Sequence, residues 1–207
     1  QGFFPYKTRE SGQSFTAREE TDMKTYTFNV FNNYAAEGVC RALKDYNREN
    51  AAPIVVCVGS DLVVGDSLGP LVGTFLRQKN AGAYIYGTLN QPITSKEVEY
   101  VKRYLKQLHP KSMIIAVDAA VGETDDVGLI KTADKGLKPG LGVDKNLSEI
   151  GDVSIVGVVA VKSYKNYRLF NLTRLSLIYR MAEAISQGIA DYAAFYREEN
   201  APRQNAI

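Results

Sequence analysis

Aspartate is the residue type whose setting in this chain points to chemistry. Two segments carry it: Gly59-Ser60-Asp61-Leu62-Val63-Val64-Gly65-Asp66-Ser67-Leu68-Gly69-Pro70, and Val117-Asp118-Ala119-Ala120. Each follows or ends a short, continuous apolar run, the signature of a strand buried on both faces. In open α/β sheets ligands bind beyond the carboxyl ends of such strands, which is where Asp66 and Asp118 are expected. Two nearby carboxylates can share a proton, one acting as base on a water and the other as acid. They could also hold a hard divalent cation or its bound water.

The glycines of the first segment invite comparison with a phosphate-binding loop, and the spacing rejects it. Gly59 and Gly65 stand one residue too far apart for GxxxxGK[ST], and Asp66 occupies the lysine position, where it would repel phosphate. Asp66 has a second reading, as the N-cap of the helix that follows. Pro70 bears on the choice. With Ser67 as N-cap, Pro70 falls in the first turn, where its missing N–H costs nothing, and Asp66 is left outside the helix. Asp118 could likewise bind loop N–H groups rather than substrate. Asp61 is expected to brace the turn that carries Asp66, with Gly59 giving the turn its shape and Ser67 supporting it. Glu123, Asp125 and Asp126 read as a solvated acidic loop.

His109 is the single histidine, in Leu108-His109-Pro110, where a helix stops. A C-terminal cap is the expectation for it. Ser-His-Asp and Cys-His catalysis, and a His-rich zinc site, are thereby disfavoured. Cys40 and Cys57 lie among apolar neighbours in no metal or redox spacing and read as buried thiols.

The elements that must position these residues follow the hydrophobic period. Residues 1–32 read as an irregular N-terminal arm pinned by scattered aromatics, with Gln1-Gly2 set aside as a tag remnant. A helix is expected over 34–49, and strands at 53–59, 83–86, 112–117, 127–130 and 153–161. Further helices are expected at 67–78, 94–108 (Val98, Val101, Tyr104, Leu105 and Leu108 inward) and 171–198. Lys135 to Gly151 is Gly-rich and reads as a long loop. Residues 33–199 form one domain and 200–207 a tail. Strands alternating with helices predict a three-layer α/β/α sandwich around a mostly parallel or mixed sheet.

The chain has 207 residues, 45% hydrophobic and 23% charged, with a net charge of +2. That charge argues for neither a nucleic-acid nor a membrane partner. No signal peptide or membrane-length apolar run is visible, so a cytoplasmic protein is expected. The two Asn-X-Ser/Thr sites, at Asn146 and Asn171, matter only in secreted chains.

The block from Pro53 to Gly73, with Gly65-Asp66-Ser67-Leu68-Gly69-Pro70 at its centre, closely resembles the YyaC-type sporulation proteins of spore-forming bacteria. Gly87 to Pro92, Ile115 to Gly122 and Gly151 to Gly157 are similar to that family as well. The resemblance implies the fold of hydrogenase-maturation proteases (a phosphorylase/hydrolase-like sandwich) and kinship with the spore germination protease. It implies catalytic roles for Asp66 and Asp118; maturation proteases add a nickel-holding histidine at a third place, and in roughly that region this sequence has no histidine but Asp152 or Ser154, expected as substrate-binding or supporting residues. The apolar Leu62-Val63-Val64 departs from the polar stretch usual in the family. The function implied is a sporulation or germination peptidase acting on a protein or peptide substrate in the spore or forespore. Two alternatives stand beside it: a non-catalytic peptide-binding protein, and a metal-binding relative of the maturation proteases. No cofactor is firmly implied; a divalent metal on Asp66 and Asp118 is left open, as is self-assembly into an oligomer.

Overall fold

The computed structural model describes residues 23–46, 52–139, 149–162 and 173–200. Among them the chain runs β1 (Thr25–Asn29), α1 (Ala35–Tyr46), β2 (Ile54–Cys57), α2 (Leu68–Gln78), β3 (Tyr84–Tyr86), α3 (Val98–Leu108), β4 (Ile114–Gly122), β5 (Leu129–Ala133), β6 (Val153–Val161) and α4 (Leu175–Glu199). A tight helical turn, Val64–Ser67, leads into α2, and another, Thr124–Asp126, separates β4 from β5.

One six-stranded sheet has the order β1-β5-β6-β4-β2-β3. The β3, β2, β4 and β6 strands are parallel to one another, and β5 and β1 join antiparallel at the far side. Alternation along the strands divides the core in two. Val55, Cys57, Ile115, Val117, Val153 and Ile155 face α1, α2 and α4. Ile54, Val56, Val58, Ile114 and Ala116 face α3, with Ile93, Leu137 and Ile150 closing that side. The expected three layers are therefore present, with three helices on one face and one on the other. β2 and β4 are buried on both faces, which is why they read as unbroken apolar runs.

From β2 the chain crosses over α2 to β3 on one side, then returns over α3 to β4 on the other. Helices on opposite faces are what right-handed crossovers in opposite directions require. The reversal makes the seam between β2 and β4 a topological switch point, with its crevice at their carboxyl ends.

Three expectations are corrected. The arm assigned to 1–32 contains a strand: Thr25–Asn29 pairs along β5, from Thr25 opposite Ala133 to Asn29 opposite Leu129. The strand placed at 112–117 runs on to Gly122, because the small residues Ala119 and Ala120 continue the ladder with Gly157 and Val158 of β6. Tyr104 and Leu108 point outward, and α3 itself starts at Val98 rather than Thr94. Before it, the Glu97 carboxylate accepts the Thr94 N–H (2.9 Å) and hydroxyl, and the Glu97 N–H donates to the Thr94 carbonyl (3.1 Å), a tight turn that leads into the helix. Most of the long loop, and the segment from 163 to 172, lie outside the described residues.

Candidate active site

Glycines allow α2 and the loop before it to lie directly on the end of β2. A side chain at Gly69 would collide with the Val58 carbonyl, and one at Gly73 with the Gly87 carbonyl. Gly59 has φ +139, and a side chain there would strike the Asp66 carbonyl. Such close backbone approach is available to glycine alone. The Ser60 N–H donates to that Asp66 carbonyl (3.1 Å), closing the loop into a ring that returns Asp66 to the end of β2. The Gly-Asp-Ser-Leu-Gly-Pro spacing is thus a packing requirement that fixes where Asp66 stands.

α2 begins at Leu68 with Ser67 as its N-cap residue and Pro70 in the first turn. Ser67 does not cap through its side chain. Its hydroxyl donates instead to the Val64 carbonyl (2.7 Å), tightening the turn. Asp66 sits one residue outside the helix, half-buried. Burial pushes its carboxyl above the ordinary carboxylate range, and the neighbouring Ser60 N–H pulls partly the other way. Asp61 is exposed, and the turn is braced by Ser60, whose Oγ accepts the Leu62 N–H (3.3 Å). Leu62 stands fully out on the rim of the crevice.

Asp118 lies within β4, five residues from its start, not at its end. Its position at the crevice survives that correction. β2 ends opposite Val117, and the Val58 N–H makes the last bond to the Val117 carbonyl (2.8 Å). Asp118 is the first β4 residue with no β2 partner in the ladder, and the turn carrying Asp66 contacts β4. Asp118 is 8% exposed, and its Oδ1 accepts the Ala119 N–H (2.8 Å).

A third wall comes from Gly87 to Ile93. Thr88 and Gln91 bond each other across a tight turn, the Leu89 N–H is held by Thr74 of α2 (3.0 Å), and the Ile93 carbonyl accepts the Gly59 N–H (2.9 Å). The turn therefore presents Asn90 and Gln91 at the rim beside β2. On the other side of Asp118, Val156 of β6 and Lys131 of β5 lie in the same cross-strand row and so on the same sheet face. Lys131 bonds Asp126 (2.8 Å), which is therefore part of an ion pair rather than of a solvated acidic run. Sequence reasoning missed Lys131. Its signal was an isolated cation in an otherwise apolar strand, whose register against Asp118 is set only by the sheet.

The other anticipated residues go elsewhere. Asp152 precedes β6 at the amino end of the sheet. Its N–H donates to the Ile114 carbonyl (2.8 Å), and its Oδ2 accepts the Ile114 N–H (2.9 Å). It pins β6 to β4 far from the crevice. Ser154 is buried beside Ala116, on the face of Asp118 but two residues nearer the amino end. A cavity of about 490 Å3 opens at that amino end, lined by His109, Ser112, Asp134 and Asp152 among others. Its Asp152 is committed to the β4 backbone. His109 closes α3 through its N–H to the Leu105 carbonyl (2.8 Å), the capping role expected of it. The chain's sole imidazole is thus at the opposite end of the sheet from Asp118. Cys57 is a free thiol buried beneath α2, where desolvation pushes its pKa up, so it is no nucleophile.

Among the described residues no three His, Cys, Asp or Glu side chains gather into a metal-ligand group, so Asp66 and Asp118 find no third ligand of these types there. Within the same residues no helix is long and apolar enough to cross a membrane.

Fold and site together define an α/β sandwich with an aspartate-bearing crevice at its switch point. The sequence profile of the family described as "Protein of unknown function (DUF1256)" matches residues 27–188, and the chain belongs to that family. It is similar to "Uncharacterized protein YyaC" of Bacillus subtilis (strain 168), 40% identical over 138 residues that make up 66% of this chain and 67% of that protein.

Proposed function

We propose that this protein is a peptidase-like hydrolase of the developing or germinating spore that cleaves a protein partner with Asp66 and Asp118. The observation that supports it most is their placement: one carboxylate in the turn between β2 and α2, the other in β4 where β2 stops pairing, at the switch point, with the only imidazole elsewhere. Burial favours the protonated form of Asp66, which suits it to be the acid. Asp118, already accepting an N–H, suits the base.

In the reaction that follows, Asp118 takes a proton from water as its oxygen attacks the peptide carbonyl carbon. Asp66 gives its proton to the carbonyl oxygen. Collapse of the tetrahedral species returns that proton to Asp66, while Asp118 passes its own to the departing amine. The C–N bond breaks and both carboxyls regain their starting states. No step is routed through a metal, since the described residues add no His, Cys, Asp or Glu to the pair. Kinship with spore and maturation proteases, implied by the sequence motifs, is part of this proposal.

Incubation with a total spore protein extract, followed by mass spectrometry of newly formed termini, tests it. New termini made by the wild type and absent with folded Asp118→Asn and Asp66→Asn support the reading. Equal cleavage by both variants, or no new termini with the wild type, overturns it.

A further inference from the structure

The open β3 edge of the sheet carries an exposed aromatic stripe that the crevice does not use. Tyr100 and Tyr104, one turn apart on α3, stack at 6.3 Å with their planes 14° apart. Tyr104 meets Tyr86 of β3 edge-on at 6.5 Å. Two residues back on the same strand face, Tyr84 lies on the His109 ring at 4.6 Å. Leu108 follows Tyr104 by one turn. The side chains are far from buried: Tyr84 is 52% exposed, Tyr100 65%, Tyr104 42% and Leu108 52%. Tyr104 and Leu108 fit the helical period of a core face, yet α3 buries only Val98, Val101 and Leu105. Exposed tyrosines in contact with one another give large, rigid, amphipathic area, the material of interface centres.

The surroundings narrow the partner. Exposed Lys96, Arg103 and Lys111 lie on or beside α3 and the Arg77 guanidinium reaches β3, against exposed Glu97 and Glu99. Glu97 is already committed to Thr94. The rim is therefore cationic in excess. A two-fold contact between copies of the chain would bring like-charged rims together, which works against self-association. Strand addition is also hindered. The Ile85 carbonyl accepts from the Arg77 guanidinium (3.3 Å), which guards the edge. What fits is a side-chain-mediated contact.

We infer that the β3–α3 face is a docking surface for an acidic segment of a partner protein that places apolar side chains on the Tyr100–Tyr104–Tyr86 stripe. It stands apart from the aspartate crevice and does not depend on hydrolysis. The test is fluorescence anisotropy on the full chain with a labelled Glu/Leu-rich peptide, its Lys/Leu-rich counterpart and a labelled oligothymidylate. The Glu/Leu peptide should bind, and the Tyr100→Ala/Tyr104→Ala double variant should weaken it by about tenfold or more. Arg103→Glu should weaken it too, and Asp118→Asn should leave it unchanged. These positions are exposed, and circular dichroism checks that the variants remain folded. Absence of Glu/Leu binding, equal binding of the Lys/Leu peptide, Tyr-dependent binding of the oligothymidylate, or a concentration-dependent dimer lost in the double variant would each overturn the inference.

Discussion

Gly69 and Asp66 illustrate how packing and chemistry meet in single residues. Gly69→Ala would drive a methyl group into the Val58 carbonyl, backbone that cannot swing aside. Loss of about 1–3 kcal/mol is expected from such overpacking, read from a urea midpoint at constant slope. Asp66 predicts a pH effect of definite sign. Its folded pKa is raised, so the folded state holds the proton more tightly than the unfolded chain. The resulting contribution to stability is fully present below the unfolded carboxylate pKa and is lost as pH rises through the folded one. Asp66→Asn should remove that part of the decline and be the more stable protein at neutral pH. A variant whose stability falls across the acid range just as the wild type does would contradict this. Much of this scale was legible in sequence. Pro70 revealed that Asp66 lies outside the helix, because a ring nitrogen is free of cost only in the first turn. Asp152 was misread for want of register: only the sheet shows that it precedes β6 and clamps Ile114 at the end away from Asp118.

At the scale of elements, α1 is tied to the sheet by more than apolar contact. The Tyr46 hydroxyl and the Thr132 Oγ1 of β5 share a hydrogen bond of 2.9 Å, and both residues are buried. Tyr46→Phe leaves the Thr132 hydroxyl without this partner and should cost about 1–3 kcal/mol. Tyr46→Phe combined with Thr132→Val should recover part of that loss, and a double variant weaker than the sum of the single ones would contradict the pairing. Strands β2, β4 and β6 were legible because burial on both faces leaves uninterrupted apolar runs. β1 was not: in Thr25–Asn29 only Phe28 is even half-buried, so the edge strand has almost no alternation to read. α3 misled in the opposite sense. Its tyrosines keep the helical period without being core, since among the described residues β3 is the last strand and no further layer covers them.

For the whole molecule, strand order decides where the crevice lies, and order is the property least written in local sequence. Alternating elements predicted the layers, whereas the reversal that makes β2 and β4 neighbours comes from pairings across long separations in the chain. The antiparallel far side has its own consequence. β1 covers the outer edge of β5 along its whole length. Truncation through Asn29 should bare that edge and produce association detectable by light scattering, and a monodisperse truncated chain would contradict the role assigned to β1. The proposal that Asp66 and Asp118 act as one titrating pair at the switch point is open to a direct measurement needing no substrate. Carbon-13 NMR of the aspartate carboxyls across pH should show Asp66 titrating above the ordinary range in the wild type. If the two carboxyls share a proton as proposed, its midpoint should fall in Asp118→Asn. An Asp66 titration identical in the two proteins would contradict the account.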